Sequence, residues 1–222
     1  MITISQVVDH YLQHTPYIEQ SLEQDLINLS SLARLLQPEI EKKLQKKIKL
    51  GAILMALKRK KRKLIEDLNG LENALKELGD ISVRSNLIEF TFVNSDTLKY
   101  KHAKLLANID NNKNVFLTVT HGVFETTLFG SESLADKIAK IFKGEECLAI
   151  LRNLSSITIR LPKSTIRIPG IHYAILKQLA WENINVIDSV STYTEFTIVL
   201  DKSDVDRAFS VLNKYLGNKS II

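Results

Sequence analysis

The sequence is poor in the features that mark secreted, membrane-spanning and disulfide-bonded proteins. It has a single cysteine among 222 residues, Cys147, which has no partner for an internal disulfide, and we expect this thiol to be buried in a reducing, cytoplasmic protein. No apolar run approaches the roughly 20 residues that cross a bilayer. The N-terminus lacks the basic start and the long apolar stretch of a secretory signal, so we expect neither export nor membrane insertion.

Motifs of the common enzyme classes are missing as well. The eight glycines are scattered and form neither a GxGxxG nor a GxxxxGKS/T phosphate loop, and the sequence has no GxSxG elbow and no HExxH pair. His10 and His14 share a helix face, but because no cysteine lies near them we interpret them as a solvated or interface pair rather than metal ligands. We therefore predict a protein that is not an enzyme and has no catalytic residue, no metal and no cofactor.

Positive charge is concentrated in one stretch. The net charge is +5, and the segment from Lys42 to Lys63 contains no acidic residue. Three interpretations stay open: cations that stabilise a helix C-terminus and keep the protein soluble, contacts to the phosphates of duplex DNA, and an anionic membrane surface. The segment has no aromatic residue, which disfavours a platform for single-stranded bases. The predicted nucleic-acid-binding residues are Lys46, Lys47, Lys49, Lys58, Arg59, Lys60, Lys61, Arg62 and Lys63.

Apolar residues at three- and four-residue steps predict helices throughout residues 1–63. The short helix Ser31–Leu36, followed by a candidate recognition helix Lys49–Lys60, resembles a helix-turn-helix DNA-binding unit. Pro38 is suited to a first helical turn and predicts a further short helix between the two. The intervening stretch Gln37–Ile48 is long for the tight turn of the simplest members of that family.

A leucine-rich helical connector follows this module. Leucines recur at three- and four-residue steps between residues 64 and 79, which predicts an apolar seam for docking or for a short coiled-coil contact between protomers. Gly79-Asp80 ends the helix and marks a domain boundary. We therefore expect four parts: the helical module at 1–63, the connector at 64–79, and two further domains at 80–152 and 153–222.

The two C-terminal domains have the same order of elements. β-Branched and aromatic enrichment together with helical periodicity predict β-α-β-β-α-β for residues 87–151 and β-α-β-β-α for residues 157–216. The dipeptides Asn114-Val115 and Asn185-Val186 lie 71 positions apart (185 − 114), and several apolar residues align at the same offset. The sequence therefore predicts an α+β fold in which two ferredoxin-like βαββαβ units follow an all-helical N-terminal module.

In the second unit, Pro169-Gly170 opens a helix, and Asn185-Val186-Ile187 leads from that helix into a strand. These two segments resemble those of an ACT domain, a small regulatory module that binds amino acids in metabolic enzymes and regulators. The first amides of a helix can receive a carboxylate, and the resemblance implies that an effector binds near these turns, often between two such domains. The ligand-binding residues that it implies are Gly170, Ile171, His172, Asn185, Val186 and Ile187.

The first unit has no Pro-Gly turn, since its equivalent loop is Val93–Asp96. We expect this unit to be structural or to contribute only Asn114 and Val115. As a tandem pair, the two units resemble the regulatory region of aspartate kinases, and no part of the sequence resembles the catalytic domain of those enzymes.

These features favour a cytoplasmic, non-enzymatic regulator that senses a small molecule, most simply an amino acid. We expect a homodimer whose geometry responds to the effector and is passed through the connector to a helical module that binds duplex DNA, with no membrane partner. The alternative is a regulatory subunit that binds a biosynthetic enzyme of amino-acid metabolism. A purely structural dimer without a ligand is the third interpretation.

Overall fold

The computed structural model describes residues 2–109 and 115–217. The chain forms two compact units, Met1–Asn73 and Ala74–Ile222, and the finer division into a connector and two separate C-terminal domains stays a prediction. The helices are α1 (Ile4–Gln13), α2 (Pro16–Glu23), α3 (Leu29–Leu44), α4 (Leu50–Lys76), α5 (Leu98–Ala107), α6 (Ala135–Ile141), α7 (Ile171–Trp181) and α8 (Val205–Gly217). The strands are β1 (Ile81–Val93), β2 (Leu117–His121), β3 (Glu125–Ser131), β4 (Cys147–Arg160), β5 (Asp188–Ser191) and β6 (Glu195–Asp201).

The N-terminal unit consists of helices packed around an apolar core. Thr3 begins α1 with a capping box, because its hydroxyl accepts the Gln6 N–H at 3.2 Å while its own N–H donates to the Gln6 side chain at 2.9 Å. Asn28 caps α3 by accepting the N–H groups of Ser30 and Ser31, both at 3.0 Å. The core that these helices enclose includes Leu12, Leu36, Ile40, Ile53 and Leu57.

Helix α3 runs without a break through Pro38, so the prediction that a separate short helix begins there was wrong. Proline removes one backbone donor and disfavours a helix interior, but Leu36 and Ile40 on either side are both buried and their packing keeps the helix continuous. The chain reverses later, at Gln45, whose left-handed φ of 51° ends α3. Glu41 then holds the turn into α4 by accepting the Ile48 N–H at 2.8 Å.

The C-terminal unit contains one six-stranded antiparallel sheet in the order β2-β3-β1-β4-β6-β5. Its two central strands are unusually long, and β1 pairs with β4 along most of their length. The sequence predicts separate strands at Glu146–Leu151 and Ile157–Leu161, whereas the structure joins them into the single strand β4. The intervening residues remain extended because the pairing with β1 continues across them, at Leu154 with Leu87 and at Ser156 with Arg84.

The two ferredoxin-like units share these central strands, and the predicted α+β fold is confirmed. The first unit uses β2, β3, β1 and β4 with helices α5 and α6. The second uses β4, β6 and β5 with helices α7 and α8, and its fourth strand is the N-terminal part of β1, where Ile81 pairs with Ile159. Asn86 and Asn153, both with a φ of 58°, lie at the irregular steps of this ladder, where a bulge requires a left-handed residue.

The equivalent hairpins of the two units lie 70 positions apart rather than 71. In the first, the Gly122 N–H donates to the Glu125 carbonyl at 2.8 Å, and in the second the Thr192 N–H donates to the Glu195 carbonyl at 2.9 Å (192 − 122 = 70). The duplication is therefore visible in the hydrogen bonds.

The sheet buries side chains on both faces. Along β1, Ile88, Phe90 and Phe92 pack with residues of α5 and α6, while Leu87 points the other way and packs with Phe129, Leu154 and Val199. Glu89 shares this second face and is 92% buried, with one carboxylate oxygen that has no hydrogen-bond partner. Burial, and secondarily the charge of Asp188, raises the pKa of Glu89.

Candidate ligand cleft and basic surface

A cleft of about 530 Å³ opens at the N-terminal end of α7. Three of the six predicted ligand-binding residues, Gly170, Ile171 and His172, line it. The strand-to-helix segment forms one side of the cleft, and the turn between β5 and β6 forms the other. The lining residues are Leu161, Thr165, Ile166, Ile168, Pro169, Gly170, Ile171, His172, Tyr173, Ser191, Thr192 and Tyr193.

The start of α7 lies at the cleft and has backbone N–H groups without an intrahelical partner. Gly170 precedes the helix with a φ of 89° and no side chain caps the helix there, because glycine alone adopts this conformation without strain and has no capping group. The Gly170 carbonyl accepts the Ala174 N–H at 2.8 Å, so the amides of Ile171, His172 and Tyr173 precede the first intrahelical bond. Such amides can bind a carboxylate.

The walls of the cleft are apolar and aromatic. The ring of His172 packs edge-on against Phe196 at 4.5 Å between centroids. Tyr173, Tyr193 and Ile166 are each about 60% exposed. A ligand here would meet backbone donors at one end and apolar surface around them, as an amino acid or a similar small carboxylate requires.

The sequence did not identify the turn residues Ser191, Thr192 and Tyr193. Ser191 is the last residue of the short polar strand β5, Thr192 and Tyr193 follow it, and the three carry no recognisable motif. They reach the cleft because the Leu161 N–H donates to the Thr194 carbonyl at 2.8 Å, which places the β5–β6 turn beside the end of β4. The predicted β-α-β-β-α order, which in a ferredoxin-like unit pairs the last strand with the first, is the signal that could have placed this turn near the end of β4.

The other three predicted residues do not line the cleft. Asn185, Val186 and Ile187 follow the C-terminal end of α7, a helix of 11 residues and therefore about 16 Å long, whereas Gly170 lies at its N-terminal end. Asn185 is exposed, and Ile187 donates its N–H to the Val199 carbonyl at 2.9 Å. In the first unit, Val115 packs against the apolar core, and Asn114 lies outside the described residues.

In the first ferredoxin-like unit, side chains close the place that corresponds to the cleft. The Asn94 side-chain amide donates to the Gly122 carbonyl at 2.8 Å, and its oxygen accepts the Thr126 hydroxyl at 2.6 Å. The Asn94 N–H also donates to the Phe124 carbonyl at 2.9 Å. These bonds fasten the β1–α5 loop to the β2–β3 turn, where the second unit has its cleft.

A carboxylate of the chain itself occupies the start of α5. Glu145 accepts hydrogen bonds from Ser95 and Thr97, both at 2.6 Å, and forms an ion pair with Lys101 at 2.8 Å. Its side chain is only 4% exposed. Gly144, with a φ of 87°, turns the chain so that Glu145 points back to the helix. The hydrogen bonds from Lys101, Ser95 and Thr97 lower the pKa of Glu145 from 4.5 to about 2.

The nine predicted nucleic-acid-binding residues divide into two groups. Lys60 pairs with Asp9 at 3.8 Å, Lys61 pairs with Asp25, and the Arg59 side chain donates to the Ser5 hydroxyl at 3.2 Å, so these three cations tie α4 to the rest of the helical unit. The other six side chains are exposed, and one of them, Arg62, pairs with Glu66 at 3.8 Å. These six are Lys46, Lys47, Lys49, Lys58, Arg62 and Lys63, and Arg59 is exposed as well.

The two histidines at the C-terminal end of α1 contact each other, and one of them contacts the helix backbone. The His14 Nδ1 lies 2.7 Å from the His10 carbonyl, and the two rings are 4.3 Å apart. Within residues 2–109 and 115–217, no group of three or more metal-binding side chains comes together. Among those same residues, no helix has the length and apolar character that crossing a membrane requires.

Cys147 is exposed, so the expectation of a buried thiol was wrong. It begins β4, ahead of the residues that pair with β6, which start at Leu154. The continuous run of apolar residues suggests a core strand, but among the described residues the N-terminal part of β4 pairs with a strand on one side alone, with β1.

Comparisons with known proteins identify the fold. The sequence matches no family model and no curated protein sequence. Similar solved structures include aspartate kinase from Clostridium acetobutylicum (TM-score 0.53, 16% identity, 63% of this chain and 35% of that one). The regulatory subunit of aspartate kinase from Thermus thermophilus, in its ligand-free form, gives a TM-score of 0.51 at 8% identity, over 62% of this chain and 97% of the subunit. Aspartate kinase from Synechocystis gives 0.52 at 15%, over 63% and 27%.

The match to the Thermus subunit covers nearly all of that regulatory chain, whereas the present chain spans about a third of the Clostridium kinase. At such low identities the similarity concerns the fold alone. The C-terminal unit of this chain therefore has the ferredoxin-like fold of ACT-type regulatory domains.

Proposed function

We propose that this chain is a non-enzymatic regulatory protein that binds an amino acid, or a small carboxylate like it, in the cleft at the start of α7. The observation that carries the proposal is the contrast between the two units. The second has an open cleft beside uncapped helix amides, whereas in the first the same loop is fastened by Asn94 and the helix start is filled by Glu145. The fold shared with aspartate kinase regulatory subunits supports a sensing role.

Thermal unfolding of the full chain with each of the twenty amino acids tests this function. A ligand at a hundred times its dissociation constant stabilises the folded state by about 2.7 kcal/mol, which raises the melting temperature by about 5 °C or more for a protein of this size. We expect one amino acid or a small related group to do so.

Tyr193→Ala tests whether the ligand occupies this cleft, and Tyr100→Ala is the matched control. Tyr193 lines the cleft, whereas Tyr100 is similarly exposed on α5 in the first unit. The first substitution should weaken the ligand-induced rise, and Tyr100→Ala should preserve it. If no amino acid raises the melting temperature, amino-acid sensing is refuted; if both variants respond equally, the ligand binds elsewhere.

We further propose that the helical unit binds duplex DNA through the exposed cations of its α3–α4 turn and of α4. Lys46, Lys47 and Lys49 cluster at the turn, and Lys58, Arg62 and Lys63 follow on the helix. The observation that favours this reading is that these six side chains are exposed while their neighbours Lys60 and Lys61 are used internally.

Fluorescence anisotropy with a DNA duplex at several salt concentrations measures this binding. Replacing Lys58, Arg62 and Lys63 by glutamate should make the negative slope of log binding constant against log salt concentration shallower by about 3. The control replaces Lys143, Lys163 and Lys214, which are exposed in the C-terminal unit, by glutamate. It changes the net charge equally and should leave the slope near that of the wild type. Affinity without salt dependence would exclude phosphate binding, and co-purification with a catalytic chain would then favour the alternative of an enzyme's regulatory subunit.

A further inference from the structure

The sheet of the C-terminal unit has an open edge in its middle. Strand β4 pairs with β1 from Cys147 onward, but with β6 from Leu154 onward. On the side away from β1, Cys147–Leu151 has no strand partner among the described residues, and we call this segment the open edge. Its backbone N–H and C=O groups on that side are a template for another strand.

The side chains of the open edge are apolar and exposed. Leu148 is 53% exposed, Ile150 is 49% exposed and Leu151 is 38% exposed. Cys147 is exposed too, and the segment carries no charge, no proline and no glycine. Both faces of the strand and its free side therefore present apolar groups to solvent, which costs free energy unless another surface covers them.

The other free sheet edges are protected. Strands β2 and β5 are only five and four residues long and are rich in threonine and serine. The N-terminal part of β1, which mirrors the open edge in the second ferredoxin-like unit, carries a charge at Arg84 and polar residues at Ser82 and Ser85. Short length and inward or flanking charge are the usual devices against edge-to-edge association. The open edge is as short as β2 and is flanked by Glu146 and Arg152, but its own residues are all apolar, unlike those of the other edges, and irregular pairing on either side limits its regular stretch to Ala149–Leu151.

We propose that the open edge of β4 is a dimer interface, occupied by the same segment of a second copy of this chain in antiparallel orientation. Charge complementarity favours this occupant. Glu146 precedes the open edge and Arg152 follows it, so antiparallel self-pairing about a twofold axis brings Glu146 of one protomer towards the partner's Arg152, twice per dimer. Arg152 pairs with Glu132 within its own chain but remains 55% exposed.

The pairing also covers the exposed apolar side chains. Leu148 of one protomer lies opposite Ile150 of the second copy, and Ile150 lies opposite Leu148. The reason is that an antiparallel pair with a twofold axis at Ala149 places residues equally distant from that axis opposite one another. The interface lies on β4 and not at the α7 cleft. It therefore goes beyond the proposed function and does not depend on it.

Sedimentation of the full chain at micromolar to high-micromolar concentrations tests the interface. The wild type should form a dimer, and Ile150→Lys should raise the dimer dissociation constant about tenfold or more. Val83→Lys is the matched control, since Val83 is 44% exposed on the mirrored part of β1, and it should leave the constant unchanged. Far-UV circular dichroism of both variants establishes that they fold.

Cysteine crosslinking locates the axis. In a Cys147→Ser background, a cysteine at Ala149 lies on the axis and should form an intermolecular disulfide under mild oxidation, whereas a cysteine at Val83 should not. A monomeric wild type overturns the proposal. So does a dimer that Ile150→Lys leaves intact, or one that crosslinks through position 83 and not through position 149.

Discussion

Replacing Glu145 by glutamine removes the carboxylate that fills the start of α5. Three groups hold it, Lys101 at 2.8 Å and the hydroxyls of Ser95 and Thr97 at 2.6 Å. The difference between its ordinary pKa of 4.5 and its folded value of about 2 corresponds to about 3 kcal/mol. Because Lys101 is 24% exposed, solvent screens the pair, and we expect the variant to lose about 1–2 kcal/mol of unfolding free energy at neutral pH.

The pH dependence of this loss has a definite sign. A carboxyl group whose pKa is lower in the folded state stabilises the protein fully above its unfolded pKa, near 4.5, and loses that contribution as the pH falls towards about 2. The difference between wild type and Glu145→Gln should therefore be constant above about pH 5 and shrink steadily below it.

Urea unfolding at a series of pH values measures this difference. Glu125→Gln is the matched control, because Glu125 is an exposed carboxylate on β3 of the same ferredoxin-like unit, and its unfolding free energy should follow that of the wild type at every pH. An unfolding free energy of Glu145→Gln equal to that of the wild type at neutral pH, or a difference that does not shrink with acid, would refute the role assigned to the carboxylate.

Three further substitutions test other parts of the C-terminal unit. Glu89→Gln should raise the unfolding free energy at neutral pH, because burial raises the pKa of Glu89 and the wild type therefore loses stability as the pH rises above about 4.5; equal curves for the two proteins would contradict this. Gly170→Ala should lower the melting temperature by the equivalent of about 1 kcal/mol, since the φ of 89° suits glycine alone, whereas Gly51→Ala, in open space on α4, should raise it slightly. Phe129→Ala should cost about 3–5 kcal/mol in urea unfolding, because Phe129 is 1% exposed between Leu87 and Leu154, and a loss below about 1 kcal/mol would contradict that packing.

The sequence predicted the features that depend on neighbouring residues. The order of helices and strands, the α+β class and the two ferredoxin-like units follow from periodicity and composition, which reflect which face of each element is buried. The helix start at Gly170 was also predictable, because a Pro-Gly pair before an apolar periodic segment specifies a turn and then a helix. Three of the six predicted ligand-binding residues, Gly170, Ile171 and His172, are therefore among the twelve that line the cleft.

Other features depend on contacts between residues that are distant in the sequence. The turn Ser191–Tyr193 reaches the cleft only because β6 pairs with β4, and Asn185 lies away from it because α7 stands between them. The dense run of cations looks uniform in the sequence, yet Lys60 and Lys61 contact Asp9 and Asp25 on other helices. No local pattern specifies such pairings.

The sequence by itself determined that this protein has a helical N-terminal module and a duplicated α+β unit, because the spacing of apolar residues within each segment indicates which face is buried. Only the tertiary structure decided that the two units share β1 and β4, that one unit has an open cleft while Asn94 and Glu145 close the other, and that part of β4 remains an open edge. The physical reason is that strand partners and side-chain contacts are chosen across the fold, where loop lengths and the competition for burial decide which surfaces meet.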